Sequence, residues 1–446
     1  MSHVLHRNIS ITVPTVKRAE GNYLIDDTGK RYLDASGGAA VSCLGHTNQR
    51  VIEAIKKQLD KVSFAHTGVF TNEPAEKLAT YLIENAPAGF GSGRAMFLGS
   101  GSEAMEAALK LARQYHLERG DEKRAKIIAR DRSYHGNTLG ALATSGHKQR
   151  QMPFAPLLID VAHIPPCYAY RFKNDNENEQ QFGLRMANTL EEEILRQGPE
   201  TVAAFVVEPV SGASLGAEPA VPGYFKRIRE ICDQYGVLFI ADEVMCGIGR
   251  TGYLFAMEAE DACPDIITIA KGLGAGYQPI ASLLANEKVI NAIKNGTGNL
   301  WNGHTYMSHA IACAGALAVL KVIEEDQLLD RVRSQGAKFK KMLNDRFADH
   351  PNIGDIRGRG LFWGLEIVKN KKTKEPFPAA FNLAGKIKSD ILENGMLSYP
   401  SQGCVDGING DHILLAPPYT VSDEELNFIL ETTHKSLLKQ LDKIIN

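Results

Sequence analysis

Short apolar runs that alternate with helical patterns between about residues 95 and 285 constrain the fold of this chain more than any other feature. The runs are Ala95–Leu98, Lys126–Ala129, Leu157–Val161, Val202–Val207, Val237–Ala241, Ile266–Ala270 and Ile280–Leu284. Helical patterns lie between them, at Ser102–Glu118, Asn188–Arg196 and Gly223–Tyr235. Strands and helices in alternation form a mostly parallel sheet that is covered on both faces. We therefore predict an α/β domain with a mostly parallel (mixed) seven-stranded sheet between helices.

The two ends of the chain show a different pattern and predict a smaller α+β domain built from both of them. Near the start, strand patterns at Asn22–Ile25 and Lys30–Leu33 flank turn-forming Asp and Gly residues. Two long helices are predicted at about 308–324 and 326–349; they are followed by strands at 355–358, 361–368 and 412–415 and helices at about 380–394 and 422–443. We divide the chain into an N-terminal segment (1–60), a large domain (61–325) and a C-terminal small domain (326–446). Residues 174–181 are polar enough to form a mobile loop.

The composition excludes several classes of partner. A net charge of −2 provides no basic field for a nucleic acid or an anionic membrane, and no apolar stretch is long enough to span a membrane. The seven cysteines are scattered and never spaced C-x-x-C, which argues against a disulfide framework and a zinc site. We expect no metal, no nucleic acid and no membrane partner, and the cytoplasm is the default location.

Two predicted strands end in residues that could bind an anion or a charged ring. Ligands of open α/β sheets bind at the carboxyl ends of the strands. Gly99–Glu103 follows one strand and begins a helix, so its small residues and hydroxyls could hold a phosphate; a serine-capped turn is the alternative. Asp242 and Glu243 follow another strand, where a buried carboxylate needs a partner or a task, although most acids are simply exposed.

Two further strand ends carry a lysine and an aromatic residue. Lys271 precedes the glycine-rich segment Gly272–Gly276, which leaves room for a planar ligand. A desolvated lysine becomes a nucleophile, whereas most lysines are solvated. Tyr134 and His135 could stack on a flat ring or simply pack within a loop. A phosphate cup, an aromatic, a carboxylate and a lysine on one sheet edge match the needs of one cofactor, so we predict pyridoxal 5'-phosphate.

The chain resembles the class-III, fold-type-I pyridoxal-phosphate aminotransferases over essentially its whole length. The resemblance begins at Gly21–Asp34, which fits the pattern G-x-x-x-x-D-x-x-G-x-x-Y-x-D, and it ends at Ala416–Pro418. Its most specific segment is Leu238–Thr251, with Lys271 placed 29 residues after Asp242. The sequence Asp-Glu-Val-Met-Cys-Gly within it is most similar to the ω-amine:pyruvate transaminase branch.

The resemblance implies a role for each matching residue. Lys271 would carry the cofactor as a Schiff base and move the proton, Asp242 would pair with the protonated ring nitrogen, and Tyr134 would stack on the ring. The other expected cofactor contacts are the phosphate ligands Ser100, Gly101 and Ser102, His135 next to Tyr134, Val244 on the other ring face, Glu208 near the ring and substrate, and Thr305 on the phosphate of the neighbouring subunit.

The activity implied by the resemblance is amino transfer from an amine or ω-amino acid donor to a keto acid acceptor, with pyruvate expected. The order would be ping-pong through pyridoxamine phosphate. The reach of Thr305 into a neighbouring site implies a homodimer with shared active sites, with a tetramer as the alternative. The same fold also serves decarboxylases, epimerases and phospho-lyases, and these remain alternatives until alanine formation from pyruvate is tested.

Three departures from the family pattern concern the cofactor and the substrate. Met245 stands where many relatives have a glutamine that binds the cofactor hydroxyl. Residues 404–412 contain no arginine, although ω-transaminases usually carry one there for the acceptor carboxylate. Either another arginine substitutes, or amides and hydroxyls bind the carboxylate weakly. Small residues at Gly37–Val41 replace a larger residue that relatives often place near Ala40, which suggests room for a bulkier amine.

Overall fold

The computed structural model describes residues 2–445 and follows the predicted alternation of strands and helices. Met1 and Asn446, which belong to the predicted terminal segments, lie outside the described residues. The strands are β1 (Val16–Glu20), β2 (Tyr23–Asp26), β3 (Arg31–Asp34), β4 (Arg94–Leu98), β5 (Lys126–Arg130), β6 (Ala162–Ile164), β7 (Val202–Val207), β8 (Val210–Ser211), β9 (Glu218–Pro219), β10 (Leu238–Asp242), β11 (Ile266–Ile269), β12 (Ala281–Ala285), β13 (Ile353–Arg359), β14 (Phe362–Ile367), β15 (Met396–Leu397), β16 (Tyr399–Gln402) and β17 (Asp411–Leu415). The helices are α1 (Gly37–Ala40), α2 (Gln49–Leu59), α3 (Glu73–Glu84), α4 (Gly101–Glu118), α5 (Leu139–Thr144), α6 (Lys148–Gln151), α7 (Ala169–Phe172), α8 (Glu179–Gln197), α9 (Tyr224–Tyr235), α10 (Glu287–Asn295), α11 (Ala310–Glu325), α12 (Leu328–Phe347), α13 (Leu383–Glu393) and α14 (Asp423–Ile445).

The central sheet has seven strands in the order β4-β12-β11-β10-β7-β5-β6. Strand β12 runs antiparallel to both of its neighbours, and the other pairs in the sheet are parallel. Successive residues of a strand face opposite sides, so Leu238 and Ile240 join one core with Ala108 of α4, whereas Phe239 joins another with Ile228 of α9. The predicted mixed, mostly parallel sheet between helices is confirmed.

Two smaller sheets contain the ends of the chain. One has the order β1-β2-β3-β15, in which β15 pairs in parallel with β3, placing Met396 opposite Leu33. The other, β13-β14-β17-β16, is antiparallel throughout. Both ends of the chain therefore contribute to the smaller α+β part, as predicted. The domain boundaries after residues 60 and 325 stay predictions.

Two local predictions were wrong. The strand expected at Leu157–Val161 lies at β6 instead, and residues 152–157 form a 3-10 helix whose prolines, Pro153 and Pro156, lack the N–H that a sheet needs. The polar segment 174–181 is not a loop throughout, because α8 begins at Glu179. The Asn178 side chain accepts a 2.8 Å hydrogen bond from the Gln181 backbone N–H, and the Gln181 side chain accepts one from the Asn178 N–H.

The described residues also bear on membranes, metals and disulfides. Among residues 2–445, no helix is both long enough and apolar enough to cross a membrane. The seven cysteines are free thiols. In the same part of the chain, no three His, Cys, Asp or Glu side chains come together in a way that could hold a metal ion.

Candidate active site

A cavity of about 280 Å³ lies at the carboxyl ends of the central strands. Residues that follow β4, β5, β7, β10 and β11 line it, as expected for the crevice of an open α/β sheet. It brings together nine of the ten predicted site residues, namely Ser100, Gly101, Ser102, Tyr134, His135, Glu208, Asp242, Val244 and Lys271.

The start of α4 forms a cradle of small residues on one wall of the cavity. Ser100 caps the helix, and its Oγ accepts a 3.3 Å hydrogen bond from the Glu103 N–H. A Cβ at Gly101 would lie 2.9 Å from Val244 Cγ1 and 3.6 Å from Ala270 Cβ, so a side chain would fill the space above the helix. Because the helix N-terminus carries partial positive charge and free N–H groups, the cradle suits a phosphate.

Ser102 connects the cradle to the loop that carries the aromatic residue. Its Oγ accepts a 2.9 Å hydrogen bond from the Asn137 N–H. A Cβ at Gly136 would lie only 2.8 Å from the same oxygen, so glycine permits this close approach. The hydroxyl proton of Ser102 is left to donate to another acceptor, since the Asn137 contact uses only a lone pair.

Asp242 is held at the end of β10 by three hydrogen bonds. Its Oδ2 lies 2.7 Å from Nδ1 of His135, and its Oδ1 accepts from Thr268 Oγ1 at 3.2 Å and from the Val244 N–H at 3.0 Å. Asp242 and His135 are both buried. Nε2 of His135 is buried without a hydrogen-bond partner among the described residues. The sequence predicted both residues at the site but missed that they bind each other.

Glu208 binds the backbone of the loop that carries Tyr134. Its Oε1 accepts a 3.1 Å hydrogen bond from the Tyr134 N–H, and its Oε2 accepts one of 2.8 Å from the Gly212 N–H. Burial raises the pKa of Glu208, although the nearby His135 lowers it, and the charge of Asp242 raises it further. Glu208 therefore fixes the backbone position of Tyr134.

Lys271 follows β11 by two residues, and its side chain lines the cavity. Its φ of 47° is in the left-handed region, which costs an L residue roughly 1–2 kcal/mol. Burial lowers the pKa of Lys271 to about 8; Asp242 and Glu208 oppose this decrease, and the positive charge of Arg150 adds to it. The amine thus loses its proton far more easily than an ordinary lysine.

An arginine that the sequence did not predict at the site stands over Tyr134. The guanidinium carbon of Arg150, on the short helix α6, is 4.5 Å from the centre of the Tyr134 ring. Such a distance is typical of a cation–π contact. Arg150 follows no strand and matches no motif, so only the fold reveals its proximity.

Thr305 is the one predicted site residue that does not line this cavity. It lies in an adjoining cavity of about 460 Å³, which shares Gly99 and residues 278–280 with the first. Its segment is exposed, with Trp301 at 76% and Tyr306 at 69% of their full accessible surface. The role of Thr305 in a neighbouring subunit stays a prediction.

The segment Gly37–Val41, which the sequence predicted to leave room in the substrate pocket, contributes only one residue to the cavity wall. Val41 lines the cavity, whereas Ala40 is buried with Met245 in a small apolar cluster. Met245 itself also lines the cavity. The wall here therefore consists of one valine and one methionine, and no large aromatic side chain narrows it.

The residues present fit pyridoxal phosphate. The cradle that a Cβ at Gly101 would fill suits the phosphate, the hydrogen-bonded carboxylate of Asp242 suits a protonated ring nitrogen, and the amine of Lys271 suits an aldehyde. An α/β fold with such a site at the sheet edge defines a pyridoxal-phosphate-dependent enzyme.

Comparisons with known proteins identify the family. Residues 4–437 match the family Aminotransferase class-III. The chain is 48% identical to an uncharacterized aminotransferase of Schizosaccharomyces pombe, over 95% of this chain and 92% of that protein. It also resembles the crystal structure of an omega transaminase from Pseudomonas jessenii in complex with PMP (TM-score 0.90, 34% identity, 96% of this chain and 93% of that one). A thermostable omega transaminase variant, with one tryptophan replaced by glycine and engineered for asymmetric synthesis of enantiopure bulky amines, is similar too (TM-score 0.91, 34% identity, 98% and 95% covered).

This chain belongs to the class-III aminotransferases. It is a pyridoxal-phosphate-dependent aminotransferase that transfers amino groups between an amine and a keto acid. The predictions of family, fold, cofactor and reaction type are therefore confirmed.

Proposed function

We propose that the enzyme transfers the amino group of an amine or ω-amino acid to pyruvate in ping-pong order. The observation that carries the proposal is that one cavity brings the Lys271 side chain together with Asp242 and the Gly101 cradle. Pyridoxal phosphate, when bound, supplies an electron-accepting ring that stabilises negative charge on the carbon beside the amine nitrogen. The residues of the chain would bind the cofactor, orient it and move the proton.

The cradle would hold the phosphate group. Ser100 and Ser102 would donate their hydroxyl protons, and the N–H groups at the start of α4 would add further donors. Gly101 would allow the phosphate to approach the helix, because any side chain there meets Val244. Val244 would pack on one face of the ring and Tyr134 on the other.

Asp242 would keep a proton on the ring nitrogen. Its carboxylate is fixed by Thr268, by the Val244 N–H and by Nδ1 of His135, so it does not need to reorganise when the ring binds. His135 is thus a positioning residue that acts through Asp242. Glu208 would act through Tyr134, whose backbone it holds.

Lys271 would move the proton between the two carbons that react. With a pKa of about 8, roughly a tenth of the amine is unprotonated at pH 7, whereas an ordinary lysine has less than ~0.1% in that form. The unprotonated amine would remove the proton from the substrate carbon that bears the nitrogen, and the resulting ammonium would give that proton to the reacting carbon of the cofactor.

A homodimer with shared sites is also part of the proposal. Thr305 of one subunit would bind the phosphate held by the other, which is supported by its place in the exposed segment beside the cavity. Exposed apolar side chains in the same region, Trp301 and Tyr306, favour burial against a second copy. A tetramer would be a pair of such dimers.

Mixed dimers test the sharing. A dimer of one Lys271→Ala subunit and one Thr305→Ala subunit contains one complete site only if Thr305 acts across the interface. We expect it to recover about half of the wild-type activity, well above either mutant homodimer. Activity no higher than the average of the two homodimers would refute the sharing.

The amine donor should have a bulky substituent. Val41 and Met245 form the cavity wall near the start of the chain, without a large aromatic residue. The similar transaminase whose tryptophan was replaced by glycine was engineered for bulky amines, which supports this direction.

A donor screen with pyruvate tests the reaction. We expect one alanine formed per amine consumed, parallel lines in double-reciprocal plots, and no activity in Lys271→Ala. Lys110→Ala, which removes an exposed lysine of α4, should be fully active. Release of ammonia or carbon dioxide without alanine would instead support a lyase or a decarboxylase, and turnover by Lys271→Ala would refute the role of that lysine.

A further inference from the structure

The predicted site residues do not explain how the carboxylate of the acceptor is bound. Residues 404–412 contain no arginine, and none of the residues that line the main cavity is an arginine. A keto acid nevertheless brings a carboxylate close to the reacting carbon, and a buried carboxylate without a cation is costly. The inference below rests on the proposed function, in which the acceptor is a keto acid.

The arginine-free loop packs against α6, the helix that carries Arg150. Nε2 of Gln149 donates a 3.3 Å hydrogen bond to the carbonyl of Ile408. The side chain of Lys148 lies against Gly407, where an added Cβ would be 3.0 Å from Lys148 Cδ. Arg150 therefore stands beside the same loop in which the resemblance places an arginine.

Arg150 is available for an anion. No carboxylate within residues 2–445 forms an ion pair or hydrogen bond with its guanidinium, which instead lies 4.5 Å from the centre of the Tyr134 ring. Two other arginines near the site already donate to backbone carbonyls: Arg130 donates to the Glu208 carbonyl at 2.7 Å, and Arg132 donates to the Val405 carbonyl. The guanidinium lies over the ring, and none of its N–H groups donates to a side chain or carbonyl among the described residues, so these groups can bind an anion.

We propose that Arg150 binds the carboxylate of the keto acid acceptor. The contact with Tyr134, which lines the cavity, places the guanidinium next to the cavity, where two of its N–H groups would bind two carboxylate oxygens. The charge of Arg150 also lowers the pKa of Lys271, which places the guanidinium within electrostatic range of the reacting amine. Arg150 would thus favour acceptors that bear a carboxylate, and it would not be needed for amines or aldehydes without one.

A merely structural role predicts a different outcome. If Arg150 only held Tyr134 in place, its loss would disturb every substrate that uses the ring, with or without a carboxylate. The comparison of carboxylate and non-carboxylate acceptors therefore separates binding of the acceptor from positioning of Tyr134.

The test compares wild type with Arg150→Gln, Arg150→Lys and Lys148→Gln, each loaded with cofactor. Lys148→Gln is the matched control, because it removes one positive charge from the same short helix. We expect Arg150→Gln to raise KM for pyruvate about 10- to 100-fold, as for loss of a charge-assisted hydrogen bond, with KM for an aldehyde acceptor changed less than about twofold. Arg150→Lys should lie between, and Lys148→Gln should match wild type.

A binding measurement separates this inference from the proposed function. Propionate, titrated into the cofactor-loaded protein and followed by the visible absorbance of the cofactor, reports carboxylate affinity without turnover. A Kd about 10- to 100-fold weaker in Arg150→Gln, but unchanged in Lys148→Gln, supports Arg150 even if pyruvate is not the acceptor. Equal propionate affinity in wild type and Arg150→Gln, or equal KM changes for pyruvate and aldehyde, would overturn the inference. Wild type that forms no alanine from pyruvate would refute the proposed acceptor alone.

Discussion

Replacement of Gly101 by alanine should weaken cofactor binding through a single steric contact. The added Cβ would lie 2.9 Å from Val244 Cγ1, closer than side chains approach in folded proteins. Val244 cannot easily retreat, because its χ1 is restricted and its N–H is bound to Asp242 at 3.0 Å. Overpacking of this kind costs ~1–3 kcal/mol, and the better helix propensity of alanine returns at most ~1 kcal/mol.

The contact with Val244 is present with and without the cofactor, so part of the cost falls on the folded apoprotein; a displaced Val244 would also disturb the cavity wall that is proposed to pack on the cofactor ring. We expect the Kd for pyridoxal phosphate to rise about 10- to 100-fold, measured by equilibrium dialysis against the apoprotein, and the Tm of the apoprotein to fall by a few degrees at most. Val244→Ala removes the opposing methyl groups, so the same substitution should cost no more than about threefold in that background. An unchanged Kd, or an equal loss in both backgrounds, would show that the contact with Val244 is not the reason for the glycine.

Three further predictions concern the carboxylates and the lysine. Asp242→Asn keeps the shape but loses the charge opposite His135, so kcat/KM should fall at least ~100-fold while the apoprotein folds normally; full activity would contradict a charged partner for the ring. The rate at which the apoprotein acquires the cofactor's visible absorbance should rise with pH up to about pH 8 and then level off, since only unprotonated Lys271 reacts; a flat profile from pH 6 to pH 9 would refute this. Burial raises the pKa of Glu243 to about 8, so the stability that its protonation contributes is fully present below the pKa of an unfolded glutamate and is lost as the pH rises towards 8. The Tm of Glu243→Gln relative to wild type should therefore increase between pH 5 and pH 8. A Tm difference that stays constant over this range would contradict the pKa shift.

Strong periodic patterns made most of the fold predictable. The run Val202–Val207 is buried along its whole length and became β7, because a continuous apolar run fits only a strand covered on both faces. The failure at Leu157–Val161 has the opposite cause. That run contains the apolar residues of a strand, but Pro153 and Pro156 direct the preceding backbone into a 3-10 helix, so the strand forms five residues later than the apolar run suggests.

The site was predictable where its residues follow strands and was not where they meet by tertiary packing. Asp242 ends β10 and Lys271 follows β11 by two residues; these strands pair in parallel, so the proximity of the two residues follows from the topology. The 2.7 Å contact of His135 with Asp242 joins residues 107 positions apart, and no spacing rule specifies it. Arg150 reaches Tyr134 because a short helix folds back over the aromatic loop, which depends on loop packing that carries no periodic signal.

The adjacent carboxylates Asp242 and Glu243 show how one strand end serves two purposes. Asp242 continues the side of β10 that Leu238 and Ile240 present towards α4, so it points to the helix whose N-terminus forms the cradle. Glu243 points the other way, where it accepts a 3.0 Å hydrogen bond from the Met257 N–H and another from the Ala256 N–H, and its raised pKa keeps it protonated near neutral pH. Strand β10 ends at Asp242 and Glu243 follows it directly, so the proposed site would have one carboxylate at the ring and a second, protonated near neutral pH, in the core, because the pleat sends neighbouring side chains to opposite faces. A shift of the strand by one residue would exchange them and bring the wrong acid to the cofactor.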